Sequence, residues 1–174
     1  IQSQYVCVGD LLFLECDSDI PCDMVVLATS DADGICYIQT ANIDGETDYK
    51  PRQAPVETMK MTPEQLSDLR GAVIECAPPN AEIYRFDSRL VLGGKALSLS
   101  EKQLLLQGTH LRNTDWVIGA VVYTGNETKV GKNKVKPPVK WTQQDRLINQ
   151  STLFIFCFQL SLVFIFGMIG DIWQ

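Results

Sequence analysis

Thr40-Ala41-Asn42-Ile43-Asp44-Gly45-Glu46-Thr47-Asp48-Tyr49 is the stretch on which the reading of this chain turns. It follows a short apolar, β-branched run and sets a glycine immediately before a carboxylate, Glu46. On local grounds Asp44-Gly45 is a hairpin turn signal inside strand-rich sequence. The same residues carry a second meaning, because a carboxylate presented just past a glycine turn can hold a water.

Upstream of this stretch, short apolar runs alternate with turns: Leu11 to Glu15, Met24 to Thr29 and Ile35 to Thr40, separated by Asp17-Ser18-Asp19 and Asp31-Ala32-Asp33-Gly34. Runs at Ala72 to Glu75, Ala81 to Phe86, Arg89 to Leu92, Gln103 to Leu106 and Trp116 to Tyr123 continue the pattern, the last nearly continuous and therefore expected at the centre of a sheet. The fold expected is mainly β, a distorted jelly roll or β-sandwich with short peripheral helices. Thr62-Pro63-Glu64-Gln65 has the form of a capping box with proline at the first helical position, so a short helix is expected to about Arg70, closed by Gly71. The insert between Tyr49 and Ala72 is expected to lie at the periphery.

Ser151 to Gly170 is twenty residues without a charge, the length of a bilayer core, and is expected to be a transmembrane helix. Its position in the chain excludes a cleaved secretory signal. Residues 1 to 49 hold ten Asp or Glu and no Lys, Arg or His, whereas Lys129, Lys132, Lys134, Lys136, Lys140 and Arg146 precede the apolar run. Positive charge beside a membrane helix favours the cytosolic side, so residues 1–150 are expected there. In a chain of net charge −6 this basic stretch has no nucleic-acid surface to join. Asn126 to Lys140, with Pro137-Pro138, is the candidate linker, and Thr142 a cap for the turn before the membrane. The domains expected are residues 1–128, a basic linker and juxtamembrane turn over 129–150, and the membrane helix over 151–170. A chain that starts at Ile1 and ends just past an apolar run is expected to be a fragment of a longer one.

Six cysteines contain no CxxC pair and accompany a single His110, which suggests neither zinc nor a redox pair, and reduced thiols are the simpler expectation. Asp31-Ala32-Asp33-Gly34 places glycine at the fourth position, where a calcium loop of the EF-hand type needs it at the sixth. Asn126-Glu127-Thr128 and Asn149-Gln150-Ser151 are short glycosylation triplets that a cytosolic placement leaves bare.

Hydrolysis of an acyl phosphate needs a water in line with phosphorus and a carboxylate to orient it, with a glycine that lets backbone come close. Gly45 and Glu46 supply both. The sequence contains no glycine-rich phosphate loop with lysine and no nucleophile paired with histidine, so the phosphate would come from outside the chain.

The ordered stretches Val8-Gly9-Asp10, Pro21 to Leu27, Cys36 to Thr47, Leu111 to Gly119 and Val121 to Lys129 resemble the actuator domain of type IV P-type ATPases, the phospholipid flippases. The resemblance covers nearly the whole chain and is weakest between Pro51 and Gly71. It implies that the Asp-Gly-Glu-Thr loop reaches a phosphorylated aspartate on a separate domain, with Glu46 positioning the water, Gly45 permitting close approach, and Asp44 and Thr47 fixing the loop. It implies a structural duty for Pro21 and Asp23, and a third membrane segment from Ser151. It also implies ATP and magnesium bound outside this fragment, with a membrane phospholipid, the phosphorylation domain of the same parent chain and an accessory subunit as partners, and no nucleic acid. The chain departs from the family pattern with Asp48-Tyr49-Lys50 where Asn-Leu-Lys is common, with Cys22 for alanine and with Gln107 for arginine. The alternative in another class is a non-enzymatic β-sandwich receptor anchored by its C-terminal helix. A cation-pumping relative would carry Thr-Gly-Glu in place of Asp44-Gly45-Glu46.

Overall fold

The computed structural model describes residues 5–69, 71–134 and 142–172. The chain divides into two units, residues 1–135 and 136–174, each described by itself. In the first, the strands are β1 (Leu11–Glu15), β2 (Asp23–Thr29), β3 (Ile35–Gln39), β4 (Tyr49–Gln53), β5 (Val73–Cys76), β6 (Ser88–Leu92), β7 (Lys95–Leu99), β8 (Leu104–Leu105), β9 (His110–Arg112) and β10 (Trp116–Tyr123). They form three antiparallel sheets, ordered β1-β10-β2-β8, β4-β3-β9 and β5-β6-β7. The mainly β expectation holds, and Trp116 to Tyr123 is central, paired on both sides.

The first sheet is a middle layer with both faces covered, which is why β2 and β10 read as unbroken apolar runs. Met24, Val26, Val117 and Val121 face one cluster with Cys36, Ile38 and Leu111 of the second sheet. Val25, Leu27, Ile118, Ala120 and Val122 face another with Leu90 and Leu99 of the third sheet. Alternate residues of a strand point to opposite faces, so one sequence run serves two cores.

Three expectations need correction. Ala81 to Phe86 is not a strand: Pro78-Pro79 precede it, and the carbonyls of Glu82 and Arg85 turn to the Lys129 ammonium, each at 2.7 Å. The insert after Tyr49 is not wholly peripheral, because β4 extends the second sheet and Ala54, Thr58 and Leu66 are buried. Pro51 is tolerated in β4 because that strand lies at a sheet edge. The start of the expected linker is folded onto the sheets: Thr128 caps a helical turn, Lys129–Lys132, and Lys129 is buried. Pro137-Pro138 lies outside the described residues.

The helix from Pro63 has its capping box, with the Gln65 amide donating to Thr62 Oγ1 and the Thr62 amide to Gln65 Oε1, and ends at Ser67. Arg70 lies outside the described residues. The hairpin β6–β7 turns through Gly93-Gly94, both at positive φ. Asp23 has the structural duty expected: its buried carboxylate accepts the amides of Gln107 (2.8 Å) and Lys129 (2.7 Å), joining β2 to two segments more than eighty residues away in sequence. Burial still pushes its pKa up, against the pull of those two amides.

In the second unit, Gln143–Ile172 is one helix, and Gln143–Ile169 within it is long and apolar enough to cross a membrane. It begins eight residues before the apolar run. Thr142 caps it as expected, accepting the Asp145 amide at 3.1 Å while Asp145 accepts the Thr142 amide at 3.0 Å.

Asp23→Ala would leave the buried Lys129 amide and the partly buried Gln107 amide without an acceptor. It is expected to destabilise the sheet unit by about 2–4 kcal/mol, read from a urea unfolding curve.

Candidate functional site

Between β3 and β4 the chain makes one helical turn, α1 (Ala41–Asp44), and not the two-residue hairpin turn that Asp44-Gly45 suggests. The two strands do pair, with Gln39 opposite Tyr49, so the quoted stretch is a long hairpin loop. Gly45 closes α1 at φ +77°, its amide donating to the Ala41 carbonyl at 3.1 Å. A Cβ there would meet nothing within 4 Å. Glycine is therefore needed for the left-handed backbone and not for room.

Asp44 is the organiser of the loop. Its carboxylate accepts the Thr40 hydroxyl (2.9 Å), the Glu46 amide (3.0 Å) and the Lys50 ammonium (2.6 Å). The bond from Lys50, reinforced by the Glu46 amide and the Thr40 hydroxyl, holds its pKa down at about 2. The same bond, with a second to Glu46, pushes the Lys50 pKa up. Thr47 contributes its carbonyl, which accepts from Gln39 Nε2 at 3.3 Å. Asn42 ties the outer side of α1 to the neighbouring loop, donating to the Gly108 carbonyl (3.2 Å) and facing His110 Nε2 (2.9 Å). The other ring nitrogen of His110 pairs with Asp19.

Glu46 stands at the free end of this scaffold. Its side chain is 60% exposed, against 19% for Asp44 and 23% for Lys50, and one oxygen, Oε2, meets Lys50 Nζ at 2.8 Å. The structure thus brings Asp44, Gly45, Glu46 and Thr47 together in one loop and leaves the Glu46 carboxylate facing outward. Lys50 escaped the sequence reading, although a signal was present. It is the first cation in the chain, placed four residues after Glu46. Asn42 and His110 had no signal, since they meet only through the pairing of β3 with β9.

Among the described residues, no group of three or more His, Cys, Asp or Glu could hold a metal ion. Asp31 instead accepts the amides of Asp33 and Ile35 in a tight turn.

No family model matches the chain. Individual relatives do. Over its whole length the chain is 41% identical to phospholipid-transporting ATPase 2 of Arabidopsis thaliana, of which it covers 16%. Over 97% of its length it is 39% identical to phospholipid-transporting ATPase ID of Mus musculus, covering 14%, and over 95% it is 36% identical to phospholipid-transporting ATPase DRS2 of Saccharomyces cerevisiae, covering 12%. The chain belongs to the type IV P-type ATPases. It spans about one seventh of the length of these relatives. That type IV ATPase segment has its mainly β unit and its apolar helix in the chain order the resemblance implies.

The depressed pKa of Asp44 makes the loop's order pH-dependent with a definite sign. The bonds are fully present above the ordinary aspartate value of 3.8 and are lost as pH falls through about 2. In an NMR titration, the Glu46 amide shift is expected to follow that lower midpoint, and to lose it in Lys50→Met.

Proposed function

We propose that this chain is the actuator region of an ATP-driven phospholipid-translocating P-type ATPase, and that its Asp44-Gly45-Glu46-Thr47 loop completes hydrolysis of an aspartyl phosphate carried by another domain of the same parent chain. The observation that carries this reading is the exposed Glu46 carboxylate on a loop whose other acidic residue, Asp44, is fully engaged in holding the backbone. A water-orienting group must reach a phosphate it does not itself bind, and only an outward-facing carboxylate on a closed scaffold meets that condition.

In this reading Glu46 orients the attacking water and accepts its proton, Gly45 keeps side-chain bulk away from the incoming phosphate, and Asp44 and Thr47 hold the loop. Residues 1–128, with the helical turn Lys129–Lys132 that packs on them, form the actuator domain, the residues from there to 150 the connection to the membrane, and residues 151–170 a membrane span, with residues 1–150 in the cytosol. ATP and magnesium belong to the phosphorylation step elsewhere in the parent chain. The transported molecule is a membrane phospholipid, and rotation of the actuator after phosphorylation and hydrolysis drives its passage, with an accessory subunit as a further partner.

The test is phosphoenzyme decay in the full-length protein. Glu46→Gln is expected to form phosphoenzyme from ATP at the normal rate and to lose it about 10²–10⁴-fold more slowly, the usual contribution of a positioned acid or base. Decay at the unaltered rate would remove Glu46 from the reaction.

A further inference from the structure

The loop holds one charged group that the proposed chemistry has not used. Lys50 lies on β4, opposite Ile38 of β3, so its backbone is fixed by sheet pairing and not by the loop it touches. From there its ammonium reaches both carboxylates of the loop, Asp44 at 2.6 Å and Glu46 at 2.8 Å. The two contacts are unequal in kind. Asp44 is also held by Thr40 and by the Glu46 amide, so the Lys50–Asp44 pair is anchored from three sides. Glu46 has Lys50 as its side-chain partner among the described residues, through Oε2, on a side chain that is 60% exposed.

An exposed glutamate has three side-chain torsions and no preferred direction, so a lone Glu46 would sample many orientations. Tying one oxygen to a cation that the sheet holds in place leaves the second oxygen to accept a hydrogen bond from water. The ammonium also offsets part of the repulsion between two carboxylates in one loop and an approaching phosphate, since the trio carries a net charge of −1 in place of −2. A lysine has three donor hydrogens, enough for both carboxylates at once.

We infer that Lys50 is the positioning residue of the hydrolytic loop: anchored by Asp44, it holds Oε2 of Glu46 so that Oε1 is presented to the attacking water. Lys50 acts through Glu46 and touches neither water nor phosphate. This inference rests on the hydrolytic reading of the loop, and the experiment separates the two.

In the full-length protein, phosphoenzyme formed from labelled ATP is chased and its decay followed in Lys50→Met, Lys50→Arg, Glu46→Gln and the double variant Lys50→Met/Glu46→Gln. Lys50→Met is expected to form phosphoenzyme normally and to lose it about 10–100-fold more slowly, the scale of a misplaced reacting group. Lys50→Arg, which keeps the cation, is expected to recover most of that loss. The double variant is expected to decay no more slowly than Glu46→Gln alone, because a residue that works only through Glu46 has nothing left to position. Unaltered decay in Lys50→Met, or multiplied defects in the double variant, would overturn the role of Lys50 while leaving Glu46 in place. Unaltered decay in Glu46→Gln would overturn the hydrolytic reading itself. A merely structural lysine would lower phosphoenzyme formation along with decay, and that outcome also contradicts the inference.

Discussion

Everything in the sheet unit depends on a middle sheet whose two central strands, β2 and β10, have no solvent face. β2 and β10 are buried along almost their whole length, and each alternates its side chains between two cores. Such a sheet must be covered on both sides before it is stable, so the sheet carrying the loop and the sheet carrying the β6–β7 hairpin are both obligatory layers. Gly119 shows how close the fit is. A Cβ at that position would come within 2.9 Å of the Val25 carbonyl across the strand pair, so even one carbon would force the strands apart.

On this rigid layer, buried polar groups act as long-range ties. The Asp23 carboxylate collects two amides from segments distant in sequence, and the Lys129 ammonium collects Asn80 Oδ1 and two carbonyls of the segment between β5 and β6. Both groups lose solvation on burial, which moves the aspartate pKa up and the lysine pKa down. Their hydrogen bonds replace that solvation, and in doing so they fix the start of β2 and the turn before β9. The turn before β9 includes Gly108, whose carbonyl receives Asn42 from the loop. The central sheet, the buried carboxylate and the outward-facing Glu46 are thus linked through a short series of bonds.

Much of this was legible in the residues themselves. Leu11–Glu15 appears with the expected bounds, and Trp116 to Tyr123 is central, as a short, nearly continuous apolar run rich in β-branched residues suits a strand covered on both faces. The capping boxes at Thr62 and Thr142 formed because their hydroxyls and acceptors are local. What sequence could not give was anything decided at a distance. Ala81 to Phe86 has strand-forming residues, yet its carbonyls are drawn to Lys129, forty-odd residues later. Lys129 itself was counted among the basic residues before the membrane helix and is buried. At the site, Asp44, Gly45 and Glu46 were visible as a motif, but the turn they make is helical. Of the loop's partners, Lys50 carried a local signal four residues after Glu46, whereas the Asn42–His110 pair depends on sheet register that no local pattern specifies.

The central claim is that Glu46, held by Lys50 and released to no other partner, aims a water at an aspartyl phosphate. The most direct measurement is a structure of the full-length protein in which aluminium fluoride with its axial water mimics the hydrolytic transition state. The account predicts a Glu46 carboxylate oxygen about 2.6–3.2 Å from that water, hydrogen-bond reach for a general base, with the other oxygen still on Lys50. A water held by any other side chain, with Glu46 turned away from it, would contradict the account.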